Sequence, residues 1–585
     1  MINFVPSLRL MKRYLQILKK YRLSLLISPV LVLIGVFSET IQPYFMSRIV
    51  DDGVMSGDIS VITTTGFYMV GISIFGLIAS VINVYVSSRA SIGFGTDLRS
   101  TLFAKIQRLA FPDIDRFSSA SLITRLTNDI TKIQQVVLMS MRIMLRAPMM
   151  LIMAIVFVLR INRELALVLL CAVPVLAVSV FFIMRKGFPF FIKVQQKIDA
   201  LNSVVRENLI NIRVVKSFVR EDFETEKFTE SSEDLRDTVV KASNIVVTVF
   251  PVMQLILNLS IIAILWFGGA KVMGGELKVG ELISFVNYLM QVLMSLMMLS
   301  MVMMTIARAS ASSQRIVEVL DTEPSLEDTP QALNSAYIIN KGSVEFRDVS
   351  FRYADGETDV LHDINFSTAA GETVAVVGAT GSAKSSMVQL IPRLYDATHG
   401  TVLVDGVNVK DYKLDYLHSK VGMVLQKNEL FSGTIIDNIR WGDVNATFEE
   451  VEEAAKAAEA HDFIMSFDKG YDTYLGRGGA NISGGQKQRL CIARALIRKP
   501  KILILDDSTS AVDSETELRI RSNLSALLKD TTVFIITQRI NTMQSADMVI
   551  VLEDGMIEAI GKPSELIETS KVYREIYNSQ QTIME

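Results

Sequence analysis

Long apolar stretches fill the first half of the chain, and none occurs in the second half. Six of them are about as long as the 20 or so residues that an α-helix needs to cross a bilayer. They lie at residues 23–46, 62–86, 143–161, 165–184, 245–272 and 282–306. Residues 1–306 are therefore predicted to be a helical transmembrane domain with six spans.

Two long polar segments interrupt these spans, at residues 87–142 and 185–244. We expect them to be helical continuations of the spans. Residues 117–124 and 206–218 are candidates for short contact helices at the two tips. Two interpretations stay open: ordinary amphipathic helix surface, or docking onto the second half of the chain.

The second half has a different pattern. Residues 307–340 are polar and contain the dipeptides Glu323-Pro324 and Thr329-Pro330, which predicts a linker. From residue 341 to 585, short β-rich runs alternate with helix-like segments, which predicts an α/β domain.

Composition and charge agree with this division. Half of the 585 residues are hydrophobic and the mean hydropathy is +0.35, which is rare for a soluble protein. Residues 1–340 carry 33 Lys and Arg against 26 Asp and Glu, whereas residues 341–585 carry 26 against 36. The excess of basic residues in the apolar half, several of them before the first span, predicts a cytosolic N-terminus. The α/β domain is then cytosolic too, after six spans.

Several classes of site are not expected. The two cysteines and four histidines form no disulfide framework, zinc motif or metal-ligand cluster. No basic tail or basic–aromatic module indicates nucleic-acid binding.

A phosphate-binding loop follows a β-rich run at residues 373–377. Its sequence, GATGSAKS at residues 378–385, precedes a helix-like segment. In such a loop Lys384 would hold the β- and γ-phosphates and Ser385 would ligate Mg²⁺. Ala383 departs from the pattern, which has glycine there, and its Cβ is expected to crowd the loop near the phosphate.

A second signal is the apolar run at residues 501–505, which ends in Asp506 and Asp507. A carboxylate at the end of a buried strand can hold Mg²⁺ and its water.

Between these signals lies ISGGQKQR at residues 482–489, which resembles the signature sequence of the ABC transporters. In that family the signature serves the nucleotide held by the opposing subunit. Tyr353 resembles the aromatic that stacks on adenine, Gln426 the glutamine that senses Mg²⁺, and residues 510–513 the loop that crosses the dimer interface. The resemblance covers essentially the whole chain and implies a membrane domain followed by one nucleotide-binding domain, as in bacterial ABC exporters.

The resemblance implies these site residues, with ATP and Mg²⁺ as cofactors. The ATP-binding set is Tyr353, Gly378, Ala379, Thr380, Gly381, Ser382, Ala383, Lys384, Ser385, Ser386, Gln426 and Asp506, with Ser385, Gln426 and Asp506 around Mg²⁺. The set for the partner's site is Ser483, Gly484, Gly485 and Gln486.

Two positions depart from the family where the chemistry takes place. Asp507 stands where the family has Glu, and Gln538 stands where it has His. Aspartate is one methylene shorter, and a misplacement of about 1 Å can cost about 10²-fold in rate. Glutamine cannot be a cation or a proton shuttle. Both losses fall in the site built on this chain's Lys384, while the signature is intact.

The departures predict a heterodimer with a sister half-transporter that carries the catalytic Glu and His. This combination resembles the degenerate-site subunits of bacterial heterodimeric multidrug exporters. The resemblance implies hydrophobic or cationic drugs as cargo, in the bacterial plasma membrane. A further departure, Arg477-Gly478 where relatives often carry Glu-Arg, affects a segment thought to relay between domains.

Candidates for the substrate cavity are Glu39, Met290, Met294, Met297 and Met301. Glu39 is the only carboxylate within a span, which indicates substrate contact or proton linkage, unless it lies near the water interface. Methionine suits surfaces that accept varied apolar ligands, but it is also a common packing or lipid-facing residue. Export of a lipid or peptide, and a nucleotide-gated regulatory subunit that transports nothing, remain alternatives.

Overall fold

The computed structural model describes residues 8–584 except 335, 355 and 508–511. The side chains of 8–12, 177, 180, 181, 184, 188, 191, 246, 249, 300, 301, 303, 304, 307, 308, 514 and 580–584 also lie outside the description. The chain forms two compact units. The first contains residues up to 105 together with 122–321, and the second contains 106–121 together with 322 onward.

The first unit is built from helices, and its described residues include no strand. The helices up to residue 321 are, in chain order, α1 (Leu8–Leu18), α2 (Arg22–Thr40), α3 (Gln42–Arg48), α4 (Ile59–Ile106), α5 (Phe111–Phe117), α6 (Ser119–Thr124), α7 (Ile130–Met139), α8 (Leu145–Ile161), α9 (Arg163–Ile210), α10 (Ile212–Ser217), α11 (Glu221–Val247), α12 (Val249–Met273) and α13 (Val279–Asp321). Of these, α5, the last residue of α4 and the first three residues of α6 belong to the second unit. A 3₁₀ turn at Lys19–Tyr21 and π-helical segments at Ile49–Val54, Arg125–Asp129 and Ser140–Met144 join neighbouring helices.

The spans are apolar on nearly every face, because lipid rather than water surrounds them. Along α12, for example, Leu255, Leu259 and Trp266 are all more than half exposed. Among the described residues, five helical stretches are long and apolar enough to cross a membrane: Arg13–Val54, Ile59–Ile106, Ser119–Ile161, Glu221–Met273 and Val279–Leu299. The predicted span at 165–184 lies within the 48-residue helix α9, some of whose side chains are outside the description.

The second unit contains the strands. They are β1 (Val344–Phe351), β2 (Leu361–Thr368), β3 (Thr373–Gly378), β4 (His399–Val404), β5 (Val407–Asn408), β6 (Val421–Val424), β7 (Gly433–Thr434), β8 (Tyr474–Leu475), β9 (Ile502–Asp506), β10 (Thr532–Ile536), β11 (Met548–Glu553) and β12 (Met556–Gly561). The main sheet has the order β12-β11-β3-β10-β9-β6, and all its strands except the edge strand β12 run parallel. A second sheet, β2-β1-β4-β5, is antiparallel.

The second unit also contains helices. They are α14 (Pro330–Asn334), α15 (Lys384–Gln389), α16 (Leu414–Lys420), α17 (Ile435–Arg440), α18 (Phe448–Ala457), α19 (His461–Met465), α20 (Gly484–Leu496), α21 (Ser514–Leu527), α22 (Ile540–Gln544), α23 (Pro563–Thr569) and α24 (Lys571–Met584). The strands β3, β9 and β10 are almost completely buried, as expected of parallel strands covered on both faces.

One expected boundary differs in the structure. Helix α13 continues to Asp321, so residues 307–321 of the predicted linker are helical. At the first loop tip, α6 lies inside the expected range of 117–124 and is preceded by α5, and residues 106–121 pack within the second unit. At the second tip, α10 lies inside the expected range of 206–218.

Candidate nucleotide site

The candidate residues meet because three parallel strands end at the same edge of the main sheet. β10 pairs with both β3 and β9, placing Ile536 opposite Val376 on one side and Asp506 on the other. The phosphate loop begins at the end of β3, Asp506 ends β9 and Asp507 follows it, and Gln538 comes two residues after β10. The carboxyl edge of such a sheet is where α/β folds bind ligands.

Lys384 is drawn into its own loop. Its Nζ donates to Gly378 O at 3.0 Å, to Ala379 O at 2.6 Å and to Ser382 Oγ at 3.2 Å. Burial lowers the pKa of the Lys384 ammonium, while the negative charges of Asp506 and Asp507 act against this shift. Lys384 is a half-buried cation whose hydrogen-bond acceptors in the loop are all oxygen atoms of uncharged groups. An anionic phosphate is therefore a suitable further partner for its ammonium group.

Ser385 and Asp506 form the pair that would hold Mg²⁺. Ser385 Oγ donates to Asp506 Oδ1 at 3.0 Å, and Asp506 is only 3% exposed. Burial, with Asp507 beside it, raises the pKa of the Asp506 carboxyl. A divalent cation between a hydroxyl and a carboxylate would stabilise the ionised form, so these two groups fit the cofactor.

The loop backbone passes through left-handed geometry. Gly378 has φ +151°, and a Cβ there would lie 2.2 Å from Leu552 O. Gly381 has φ +89° and open space around its Cα. Ala383 adopts φ +67° and ψ +23°, a conformation that costs an alanine about 1 kcal/mol or more relative to glycine. Alanine in place of the family's glycine at position 383 therefore adds backbone strain to the loop.

The backbone of Asp507 is fixed by two neighbours. Asp507 N donates to Ile536 O at 3.2 Å, and its own carbonyl accepts from Nε2 of the buried Gln488 at 3.2 Å. Its φ of +49° is also left-handed. Gln538, one strand away, is exposed. The two departing residues thus belong to neighbouring strand ends, although they are 31 positions apart in the sequence.

The signature begins helix α20. Ser483 is the N-cap: its Oγ accepts from Gln486 N at 3.3 Å, while Gln486 Oε1 accepts from Ser483 N at 2.9 Å. This reciprocal capping box leaves the first-turn N–H groups of Gly484 and Gly485 without an intrahelical acceptor. Because Ser483 and Gly484 are exposed, the turn can present these donors to an anion.

Three further predicted positions can be located. The Tyr353 hydroxyl hydrogen-bonds Ser386 Oγ, 2.8 Å away, at the start of α15. Gln426 is exposed and follows β6, at the same edge of the sheet. In the expected interface loop, residues 510 and 511 lie outside the described part, while Asp513 caps α21 by accepting from Thr516 N.

Sequence reasoning missed one neighbour of Tyr353. Tyr395 packs edge-on against it, with ring centroids 5.3 Å apart, and is 8% exposed. No motif marks this residue, which lies 42 positions further along the chain.

In the first unit, Glu39 is paired with Arg146, a residue of the third span, and both side chains are partly exposed. Sequence analysis did not single out Arg146, although a charge within a span would have marked it. Met290 and Met294 are exposed, whereas Met297 packs against the buried core of this unit. The side chain of Met301 lies outside the described residues.

Comparisons with known proteins agree along the chain. Residues 25–296 match the family of the ABC transporter transmembrane region, and residues 361–510 match the ABC transporter family. An uncharacterized ABC transporter ATP-binding protein of Bacillus subtilis, YfiB, is 40% identical over 97% of this chain and 98% of its own length.

Two further relatives carry names that state a cargo. A putative multidrug export ATP-binding/permease protein of Bacillus subtilis, YgaD, is 33% identical over 97% of this chain and 99% of its own. An ATP-dependent lipid A-core flippase of Desulfotalea psychrophila is 31% identical over 98% and 99%. The solved structure of a bacterial Atm1-family ABC exporter with ATP bound is 27% identical and covers 96% of this chain and 98% of that one, with a TM-score of 0.79.

Proposed function

Because this chain belongs to the ABC transporters and has the architecture of an ATP-driven exporter half-transporter, we propose that it is the degenerate-site subunit of a heterodimeric drug exporter. Half-transporters of this kind work as dimers. In the proposed dimer the phosphate loop of this chain binds ATP but hydrolyses it poorly. Its signature completes a competent site on the partner.

One observation carries the proposal: Asp507 and Gln538 follow neighbouring parallel strands at the edge where Lys384 lies. Two departures at one site weaken the same reaction. The family's Glu, replaced here by Asp507, positions the attacking water, and the family's His, replaced here by Gln538, contacts the γ-phosphate. The capped, exposed turn at Ser483 has no comparable departure. A loss confined to one of the two half-sites supports pairing with a different chain.

The second loop tip supports a partner. Leu209, Ile210, Phe218 and Val219 around helix α10 are between 64% and 80% exposed. Such apolar residues at the tip of a polar, cytosolic loop are typical of a contact surface. The ATPase domain of a sister subunit is the occupant we propose.

Transport in this proposal is alternating access. ATP binding brings the two ATPase domains together, the loop tips transmit the closure, and the drug cavity opens outward. Hydrolysis at the competent site returns the dimer to its inward-facing state. The cycle is a shift between two populated states, driven by the difference in ATP affinity between them.

The proposed cargo is a hydrophobic or cationic drug, supported by the exposed Met290 and Met294. Pairing with Arg146 weakens the attraction of Glu39 for cations, so the apolar surface carries more of this argument. A lipid is the second candidate. It is favoured because Nε of Arg146 is buried without a hydrogen-bond partner among the described residues, which suits an anionic headgroup.

ATPase measurements test the proposal. We would purify the full chain alone and co-expressed with a candidate sister half-transporter, with and without a dye cargo. Two variants of this chain, Asp507→Asn and Ser483→Arg, are compared within the pair. We expect activity only in the pair, stimulated by dye, changed less than about twofold by Asp507→Asn and lost by about 10² or more in Ser483→Arg.

Robust activity of the chain alone, abolished by Asp507→Asn, would refute the asymmetric dimer. Activity of the pair that responds to no cargo, dye or lipid would favour the regulatory subunit. A response to lipid but not to dye would move the assignment to a lipid exporter.

A further inference from the structure

A continuous set of contacts joins the first loop tip to the candidate adenine-binding residue within the second unit. It begins at Asp115 on helix α5, passes through Tyr395 to Tyr353, and ends at Ser386 beside the phosphate loop. Neither the sequence motifs nor the proposed function assigns a role to Tyr395.

The link between Tyr395 and Asp115 is a strong hydrogen bond. The Tyr395 hydroxyl donates to Asp115 Oδ2 at 2.6 Å. Burial and the neighbouring carboxylate raise the pKa of Tyr395, which keeps the hydroxyl protonated as the donor. Phe111, at the start of the same helix, lies against the Tyr395 ring with centroids 6.3 Å apart.

The link between Tyr395 and Tyr353 is steric. The two rings meet at 85° with centroids 5.3 Å apart, and Phe351 contacts both. The Tyr353 hydroxyl is held by Ser386 at 2.8 Å. With one end of Tyr353 fixed and its edge packed on a buried ring, a change in its plane must displace Tyr395.

The loop tip does not need Tyr395 to stay in place. Asp113 Oδ2 already accepts hydrogen bonds from Ala110 N and Ser325 N, both at 3.0 Å. Asp113 is buried, whereas Asp115 is exposed. An exposed carboxylate that bonds a tyrosine beside the base-stacking residue is therefore better placed to report a change than to hold the fold.

We propose that Tyr395 is a positioning residue that sets the plane of Tyr353 for the adenine base and transmits base occupancy to the loop tip through Asp115. This rests on the role of Tyr353 in ATP binding, but not on the heterodimer or the drug cargo. Linkage requires the effect to be reciprocal: whatever moves the loop tip changes the affinity for the base by the same factor.

Two ligands separate the base from the phosphates. ATP carries adenine, and inorganic tripolyphosphate carries only the phosphate chain. The full chain in nanodiscs is titrated with each by calorimetry in EDTA, so that no hydrolysis occurs. Hydrogen exchange of residues 106–121 is then followed with each ligand at saturation.

Tyr395→Phe removes only the hydroxyl, and Asp115→Ala removes the acceptor from the other side. Tyr412→Phe is the matched control, because it also deletes one buried tyrosine hydroxyl of this unit, which donates to Val404 O at 2.9 Å. Asp115→Ala lies on the exposed face of a short helix and leaves the sheet intact.

In the unsubstituted chain we expect ATP, but not tripolyphosphate, to slow exchange at residues 106–121. Either test variant should lose this protection and bind ATP about fivefold more weakly, at the low end of typical coupling, with unchanged affinity for tripolyphosphate. The Tyr412→Phe control should behave like the unsubstituted chain.

Protection that survives in both test variants would overturn the proposal, and so would equal protection by the two ligands. Equal affinity for ATP and tripolyphosphate would overturn it as well, because no base would then be bound at Tyr353. The two proposals can fail separately. If the paired ATPase assay shows no asymmetry, the heterodimer is refuted, and the role of Tyr395 in ATP binding is unaffected.

Discussion

Gly378 is the position of the phosphate loop that should tolerate substitution least. It ends β3 opposite Leu552 of β11, and its φ of +151° is accessible essentially to glycine alone. A Cβ added there would lie 2.2 Å from Leu552 O and 2.7 Å from Ser382 Oγ. Gly378→Ala therefore combines backbone strain with a clash against backbone. Gly381→Ala is the matched control, because it has φ +89° but nothing within 4 Å of the new Cβ.

The two terms can be estimated separately. An alanine at positive φ costs about 1–2 kcal/mol, of which about 0.4–1 kcal/mol is recovered because the unfolded chain loses freedom. Gly381→Ala should thus destabilise by about 1 kcal/mol. In Gly378→Ala the Leu552 carbonyl must also withdraw by about 1 Å, which adds about 1–3 kcal/mol of overpacking. We expect about 3 kcal/mol in total for Gly378→Ala.

The two tryptophans of the chain make the assay specific. Trp266 lies in the first unit, and Trp441 in the second, stacked on Phe431. In a Trp266→Phe background the fluorescence reports only the second unit. At about 2–4 °C per kcal/mol, Gly378→Ala should lower the thermal unfolding midpoint by about 6–12 °C and Gly381→Ala should lower it by about 2–4 °C. Equal shifts for the two variants would refute the reasoning, since the clash would then contribute nothing.

Two further predictions concern one residue in each unit. Burial lowers the pKa of His418, whose Nε2 lies 2.9 Å from Pro392 O, so the unfolded chain binds its proton more readily. The stability of the second unit should therefore fall as the pH drops below about 6.5. His418→Gln should remove this part of the pH dependence, which is measured from the unfolding midpoint followed through Trp441 fluorescence at about pH 7.5 and about pH 5.5. A slope that His418→Gln leaves unchanged would contradict this. In the first unit, Asp129 is fully buried and accepts two hydrogen bonds from Arg315, of 2.8 and 2.5 Å. Asp129→Asn should therefore destabilise that unit by about 2 kcal/mol, as measured by thermal unfolding followed through Trp266 fluorescence. An unchanged unfolding midpoint would contradict this.

The fold could be predicted from the sequence because its signals are local. Apolar length alone predicts membrane helices, and the loop at residues 378–385 is flanked by a strand and a helix in both the sequence and the structure. The sequence does not locate the end of helix α13, because polarity begins at residue 307 and the helix ends at Asp321. An apolar helix that leaves the bilayer can continue into water as an amphipathic one, and helix α13 does so for another 15 residues.

Pairings between distant positions could not be predicted. Glu39 and Arg146 are 107 positions apart, and Tyr395 touches a loop tip 280 positions away. Hydrophobic periodicity carries no information on which of two spans face each other. A carboxylate in a span signals that a partner is needed, without naming the partner.

The ion pair between Glu39 and Arg146 affects which cargo charge can be bound near Glu39. A lone buried carboxylate would favour a cation, since it lacks compensation in a medium of low dielectric constant. Glu39 has its compensation from Arg146 within the same unit, so a cationic cargo would have to break an ion pair before gaining one. That exchange yields little net energy unless the cargo also supplies an anion to Arg146. If Glu39 and Arg146 line the proposed cavity, we therefore expect cargo to be selected by apolar surface, or by carrying both charges, rather than by the sign of one charge. A series of dyes of equal size and different charge would separate these two modes.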